Sequence, residues 1–286
     1  MALRRVGVLH PGQMGIVVAI SAKNSGNEVY WASEGRSEAT RERAQNAGLQ
    51  DAGTVAGMCE LCETIVSVCP PEFAEDLARE VAQQSFAGLY IDANAISPER
   101  TQRIARLLEQ AGASFVDGGI IGPAVLTPQC TWLYLSGEGA AEAASCFAAG
   151  PVETEILPGG VGRASSLKMC FAAYSKGRTA LLCSILAVAR ELGVITDLER
   201  QWARNGPAWT DVEREISRAA PKAWRFAPEM EEIARTFECA GLPAGFHAAA
   251  ADVFRRLAGF KDKDATGLEA VLAELARHPP HGRLPS

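Results

Sequence analysis

The strongest constraint on this chain is a change of rhythm near residue 160. Before it, short apolar runs alternate with amphipathic segments rich in Ala, Arg and Glu; after it, only helical spacing recurs. "RRVGVLH", "NEVYWAS", "ETIVSVCP", "GLYIDAN", "SFVDGGII" and "TWLYLSG" read as strands. The helical segments between them cover Gln13 to Ser25, "SEATRERAQNAG", "EFAEDLAREVAQQ" and "SPERTQRIARLLEQAG". Ser97 is the N-cap residue of the last, with Pro98 at its first helical position. Strands separated by helices of this length pair in parallel, which predicts a doubly wound α/β Rossmann sheet. The second half opens with an apolar stretch from Ser165 to Leu192, interrupted only by Gly177. As one helix it is roughly 40 Å long. Helical patterns follow over 196–204, 209–219, 228–240, 243–258 and 265–277. The expected organisation is a Rossmann domain over 1–160, an all-helical domain over 161–278 and a disordered tail over 279–286.

Composition excludes several classes. Of 286 residues, 48% are hydrophobic and 22% charged, an ordinary globular profile. The net charge of -6, without a long basic run, argues against a nucleic-acid partner. No apolar stretch approaches the roughly 20 residues of a membrane span, and the short run before His10 and Pro11 is no signal peptide, so a cytoplasmic location is expected. Cys59 and Cys62 form a C-x-x-C, but no second ligand pair stands at matching spacing. No metal site is expected, and the cysteines, Cys146, Cys170 and Cys183 included, read as buried thiols.

The opening "GVLHPGQMG" follows a strand and begins a helix, the context of a pyrophosphate-binding turn. His10 stands where G-x-G-x-x-G has its first glycine. Gly12 lets backbone approach a phosphate, Gly15 lets helix and strand pack closely, and the helix N-terminus offers amides. His10, Pro11, Gly12, Gln13 and Met14 are therefore candidate cofactor contacts, with His10 a pocket wall rather than a proton donor. At the end of the second strand an acidic residue selects NAD and an arginine accepts the 2′-phosphate of NADP. "VYWASEGRS" supplies Ser33, Arg36 and Ser37 for a phosphate, opposed by Glu34; the expected cofactor is NADPH rather than NADH.

Five segments in order resemble the β-hydroxyacid dehydrogenase superfamily, which includes 6-phosphogluconate dehydrogenase and the imine reductases. These are "GVLHPGQMG", "SVCPP", "IDANAISP", "FVDGGIIGP" and "GVGRASSLKM". "RFAPEMEEIARTFECAGLPAGFHAAAADVF" is similar to a subgroup with a distinctive C-terminal helical domain and no assigned substrate. The resemblance implies Cys69, Pro70 and Asn94 beside the cofactor, and Gly118, Gly119, Ile120, Ile121 and Gly122 as the substrate loop. It implies Lys168 as the catalytic acid/base, with Asn94 orienting the reacting group, and helical domains that pair into a homodimer. Phe171, Tyr174 and His247 are further candidate substrate contacts; Trp209, Trp224, Met230 and Phe246 read as core.

Three departures remove polar groups from the implied cleft. Phe171 and Ala172 stand where the superfamily carries asparagines, Ile121-Gly122-Pro123 replaces a serine and two glycines, and Ala95 replaces a threonine. Without those donors a highly hydroxylated acid is a poor substrate. The leading expectation is NADPH-dependent hydride transfer to or from a partly apolar carbonyl or hydroxy(acid) compound. The alternatives are an imine reductase of secondary metabolism, using a donor such as Tyr174, and a protein that binds NADPH without turnover.

Overall fold

The computed structural model describes residues 3–261, 263 and 266–277. The tail expected to be disordered lies outside them. In chain order the elements are β1 (Arg5–Val8), α1 (Gln13–Asn24), β2 (Glu28–Trp31), α2 (Glu38–Asn46), β3 (Gln50–Asp51), α3 (Val55–Leu61), β4 (Thr64–Ser67), α4 (Ala74–Gln83), β5 (Leu89–Asp92), α5 (Pro98–Gln110), β6 (Ser114–Ile121), β7 (Thr131–Ser136), α6 (Ala140–Ser145) and β8 (Val152–Ile156). Then come α7 (Arg163–Glu191), α8 (Ile195–Asn205), α9 (Trp209–Ala219), α10 (Ala223–Cys239), α11 (Gly245–Arg256) and α12 (Leu268–Ala276). Packing divides the chain into Met1–Cys170 and Phe171–Ser286, within α7.

The first unit is an eight-stranded sheet in the order β3-β2-β1-β4-β5-β6-β7-β8. Every pair is parallel except β6–β7. The expected doubly wound sheet is therefore present. Strand order reverses between β1 and β4, and in such sheets ligands bind beyond the carboxyl ends of the strands at that reversal. The loops after β1 and β4 hold His10 to Gly12 and Cys69 to Pro71, so the topology alone brings two sequence-distant segments together.

Strands β4 and β5 are buried along their whole length, as a central parallel strand covered on both faces must be. One core lies on the face of α1 and α6, with Val17, Val18, Leu133 and Phe147; the other lies under α3, α4 and α5, with Met58, Ile65, Tyr90 and Leu108. Four elements were not legible: β3, α3, α6 and β8. Helix α3 docks on β1 because Gly7 has no side chain; a Cβ there would stand 2.5 Å from Met58 Sδ. Ser21 ties α1 to the start of β8 by accepting the Val152 N–H at 3.1 Å.

In the second unit α10 and α11 pack together, with the Phe226 and Phe254 rings edge to face at 5.3 Å. Lys176 Nζ donates to Glu229 Oε1 at 2.8 Å, and both side chains are nearly buried. Helix α10 begins five residues before Pro228, the residue expected near its start. A proline there removes one backbone donor, and the helix continues through it.

Candidate active site

The phosphate-loop end is built from β1, α1 and the turn between them. Neither His10 nor Gly12 has a positive φ, so the turn does not require the missing first glycine. Gly15 is required: a Cβ there would lie 2.1 Å from the His10 carbonyl oxygen. The His10 ring folds over Gly12, whose Cβ would meet its Cδ2 at 3.1 Å. No side chain at Gly12 caps α1, leaving the first amides of the helix, at Gln13, Met14 and Gly15, as donors for an anion.

Two arginines, Arg36 and Arg43, brace this turn, and Arg41 braces the loop after β2 beside it. Arg36 places Nη1 3.0 Å from His10 Nδ1 and donates from Nη2 to the Leu9 carbonyl at 3.2 Å. Arg41 donates to the Ser33 carbonyl at 2.7 Å, and Arg43 to the Pro11 carbonyl at 3.2 Å. Burial, then the charges of Arg36 and Arg43, pull the His10 pKa down to about 4. The ring is therefore neutral near pH 7, and Nδ1 accepts from Arg36.

Beside it is a cavity of about 260 Å³ lined by His10, Arg36, Cys69, Pro70, Phe73 and Leu77, with Asp76 and Glu80 from α4. Arg36 Nε is buried here without a partner. The donor-rich helix end, the surrounding arginines and an apolar slot fit a dinucleotide: Gln13, Met14 and Gly15 would hold its pyrophosphate, with Arg36 beside the ribose and Pro70 and Leu77 at the base. Ser33 is buried, and Ser37 is the N-cap residue of α2 with its hydroxyl 3.1 Å from Thr40 Oγ1. Burial pushes the Cys69 thiol up to about 12, so it stays protonated.

Asn94 lies two residues beyond the end of β5, and its side chain bridges back to β4. Its Oδ1 accepts the Cys69 N–H at 2.6 Å and its Nδ2 donates to Ser67 Oγ at 3.0 Å. It is thus a brace between the strand ends. Gly118 and Gly119 lie inside β6, where a Cβ on Gly119 would meet the Ala164 carbonyl oxygen at 2.6 Å and Lys168 Cβ at 3.2 Å. The missing side chain is what lets α7 press against β6 and brings Lys168 to the strand. Ile120 and Ile121 are buried strand residues, and Ile120 belongs to the core; Gly122, at φ +133°, turns the chain out of β6.

The remaining candidates lie in the second unit. Phe171 and Tyr174 are exposed on α7, and the Tyr174 hydroxyl accepts from Arg178 Nη1 at 3.4 Å. His247 is buried between the rings of Phe237 and Phe246, at 4.2 and 5.2 Å, and burial lowers its pKa. Its Nδ1 is buried without a partner. Cysteines 59, 62, 69, 130, 146, 170, 183 and 239 form no disulfide among the described residues; Cys170 and Cys239, expected to be buried, are exposed.

Sequence reasoning missed Asp117. This β6 residue accepts the N–H groups of Gly162, Ala164 and Ser165 on Oδ2 at 2.8, 2.9 and 3.1 Å. Ser136 Oγ donates to the same oxygen at 3.0 Å, and Ser165 Oγ to Oδ1 at 2.5 Å. The available signal was a helix start, "GGVGRASS", with no Asp, Asn, Ser or Thr immediately before Arg163: its amides needed an acceptor from elsewhere.

Comparison with known proteins agrees with this arrangement. Residues 5–146 match the NAD binding domain of 6-phosphogluconate dehydrogenase, and residues 189–257 match a domain of unknown function, DUF1932. The first match falls in the sheet unit and the second in the helical unit, so the chain joins an NAD binding domain like that of 6-phosphogluconate dehydrogenase to a C-terminal helical domain. It is 28% identical over 68% of its length, and 74% of the relative's, to an uncharacterised 28.5 kDa protein of Methanothermus fervidus. Its fold is shared with 3-hydroxyisobutyrate dehydrogenase of Mycobacterium tuberculosis, at 16% identity and a TM-score of 0.69, covering 96% and 99% of the two chains. An imine reductase of Streptomyces aurantiacus matches at 17% identity and a TM-score of 0.54, covering 94% and 99%.

Proposed function

We propose that the protein is an NADPH-dependent oxidoreductase acting on a partly apolar carbonyl or hydroxy(acid) compound, with Lys168 as its acid/base. The observation that carries this reading is the close seating of Lys168 against Gly119 of β6, in the unit that also holds the phosphate loop. A bound nicotinamide supplies or accepts hydride; the chain's own task is to bind that group and to move a proton at the substrate oxygen. Lys168, an amine on the second turn of α7, is the group assigned that proton. The Gly118–Gly119 backbone flanks it, and Asn94 braces the neighbouring strand end.

NADPH is favoured over NADH by the gathering of Arg36, Arg41 and Arg43 around the ends of β1 and β2, against one exposed Glu34. Pairing of the chain with a second copy is supported by α7, where Phe171, Tyr174, Leu181 and Val188 are exposed at spacings of three, seven and seven. Such an apolar stripe on one face of a long helix is a seam for another helix. Among the described residues no helix is long and apolar enough to cross a membrane.

A second reading, reduction of C=N bonds, is favoured by Ile121-Gly122-Pro123, which offers no side-chain donor at the end of β6. The test of both is NADPH consumption by wild type and Lys168→Ala against keto acids, apolar ketones and cyclic imines. Turnover of a keto compound that vanishes in Lys168→Ala is expected. Imine turnover that survives the change transfers the assignment to the second reading; NADPH binding without turnover of any compound assigns a non-catalytic role.

A further inference from the structure

Asp117 immediately precedes the Gly118–Gly119 pair, and its carboxyl group is buried at the start of α7. The first turn of a helix leaves amides without partners inside the helix. Here three of them, from Gly162, Ala164 and Ser165, converge on Asp117 Oδ2 at 2.8 to 3.1 Å. Both hydroxyls that reach the carboxylate are themselves fixed: Ser136 lies in β7, and Ser165 Oγ stands 2.9 Å from Thr101 Oγ1 of α5. Backbone N–H groups can only donate, so the arrangement selects the ionised carboxylate. Burial is the largest influence and raises the Asp117 pKa above its ordinary value, while the hydrogen bonds donated by Ser165, Ser136 and Gly162 limit that rise.

The charged neighbours make the division of labour clear. Asp92 of β5 is the register partner of Asp117. It accepts from the Asn94 N–H on Oδ1 and has a buried Oδ2 without a partner. Burial raises its pKa to about 7, so of the two carboxyls it is the one that carries a proton. Arg100 of α5 acts on Asp92, and Arg163 and Lys168 are the basic residues on the first two turns of α7.

We propose that Asp117 is the positioning residue of this site: its carboxylate anchors the first turn of α7 to β6 and thereby sets the place and basicity of the Lys168 amine. Lys168 lies three residues beyond Ser165 on the same helix, so any slip of the anchored turn is carried directly to it. The negative charge also offsets the positive end of the α7 dipole, which otherwise disfavours an ammonium group close by. This rests on the reading of Lys168 as acid/base, and the test keeps the two apart.

The full chain, with lysines labelled by 13C reductive methylation and Lys168 assigned through Lys168→Arg, is titrated by NMR as wild type and as Asp117→Asn. The variant keeps the shape and loses the charge. The Lys168 titration is expected to move down by about 0.3–0.7 pH units. On a compound whose turnover depends on Lys168, kcat is expected to fall about 10- to 100-fold with KM held within about threefold, the signature of a displaced acid/base rather than of lost binding. An unmoved titration in folded Asp117→Asn overturns the inference, as does an unchanged kcat. If Asp117→Asn does not fold, Ser165→Ala, which removes the donor to Oδ1 and loosens the anchored turn while keeping the charge, is expected to lower kcat by less, about 2- to 10-fold with KM held. An unchanged kcat there overturns it equally. Should Lys168→Ala retain full turnover, the catalytic reading fails while the titration still decides the anchor.

Discussion

The two units of this molecule fix their residues by different means. In the sheet unit the decisive contacts are made by backbone at van der Waals limits. Gly15 admits the His10 carbonyl and Gly119 admits the Ala164 carbonyl, each at a distance that a Cβ would close to 2.6 Å or less. In the helical unit side chains do the fixing: Lys176 on Glu229, the Phe226–Phe254 pair, and His247 between two rings. Backbone contacts of the first kind tolerate no added atom, while side-chain packing can be exchanged for other packing of similar volume. A site that must hold a cofactor to a fraction of an ångström belongs on the first kind of frame, and that is where the phosphate loop and Lys168 both stand.

The contrast can be broken most forcefully in the helical unit. Glu229→Gln removes the carboxylate that faces the nearly buried Lys176, and removing one partner of such a pair costs about 3–5 kcal/mol. Denaturant unfolding should show that loss, and a double replacement by apolar residues, Lys176→Met with Glu229→Leu, should recover most of it. If the double variant stays as unstable as the single one, the helical unit is not the exchangeable frame described here. In the sheet unit Gly15→Ala admits no such rescue. Overpacking costs about 1–3 kcal/mol, so affinity for NADPH should drop roughly 10- to 100-fold, read by quenching of protein fluorescence.

A smaller effect sharpens the electrostatics of the sheet unit. His10 sits near about 4 in the fold against an ordinary 6.5. Between those values the unfolded chain takes up a proton that the folded chain refuses, so this contribution to stability is lost as pH falls through the window. Asp92, raised from 3.8 to about 7, keeps a proton that the unfolded chain has released. Its contribution is therefore lost as pH rises through the same range, and the two nearly cancel. His10→Gln removes the first and leaves the second. The stability of that variant should decline with rising pH between about 4 and 6.5 by on the order of 1 kcal/mol per unit more steeply than that of wild type. Asp92→Asn should slope the other way. The least effect belongs to the exposed pairs: Asp197→Ala, which breaks its contact with Arg200, should change stability by less than about 0.5 kcal/mol in the same unfolding measurement.

Much of this was legible in the sequence, for identifiable reasons. Six strands and the long helix carry strong apolar periodicity, and "GVLHPGQMG" could be read as a phosphate turn because its strand-turn-helix context survives the loss of the first glycine. The missed elements lacked such signals. β3 is two exposed polar residues, Gln50 and Asp51, held only by pairing with β2; α3 and α6 are seven and six residues long. The start of α10 was hidden by Pro228, which local rules place at a helix beginning. Asp117 was invisible because its partners lie 45 to 48 residues along the chain, and only the fold brings the uncapped start of α7 to it. Asn94 was found, but the sequence does not show that its amide is already tied to Ser67 and Cys69.

The account stands most directly on the sheet unit as a seat for a phosphorylated nicotinamide cofactor. The deciding measurement is a fluorescence titration of the wild-type chain with NADPH and with NADH. The arrangement of Arg36, Arg41 and Arg43 predicts binding of NADPH at least about tenfold tighter than NADH, with the ratio narrowing in Arg36→Ala. Equal or tighter binding of NADH, or saturation by neither, would contradict it.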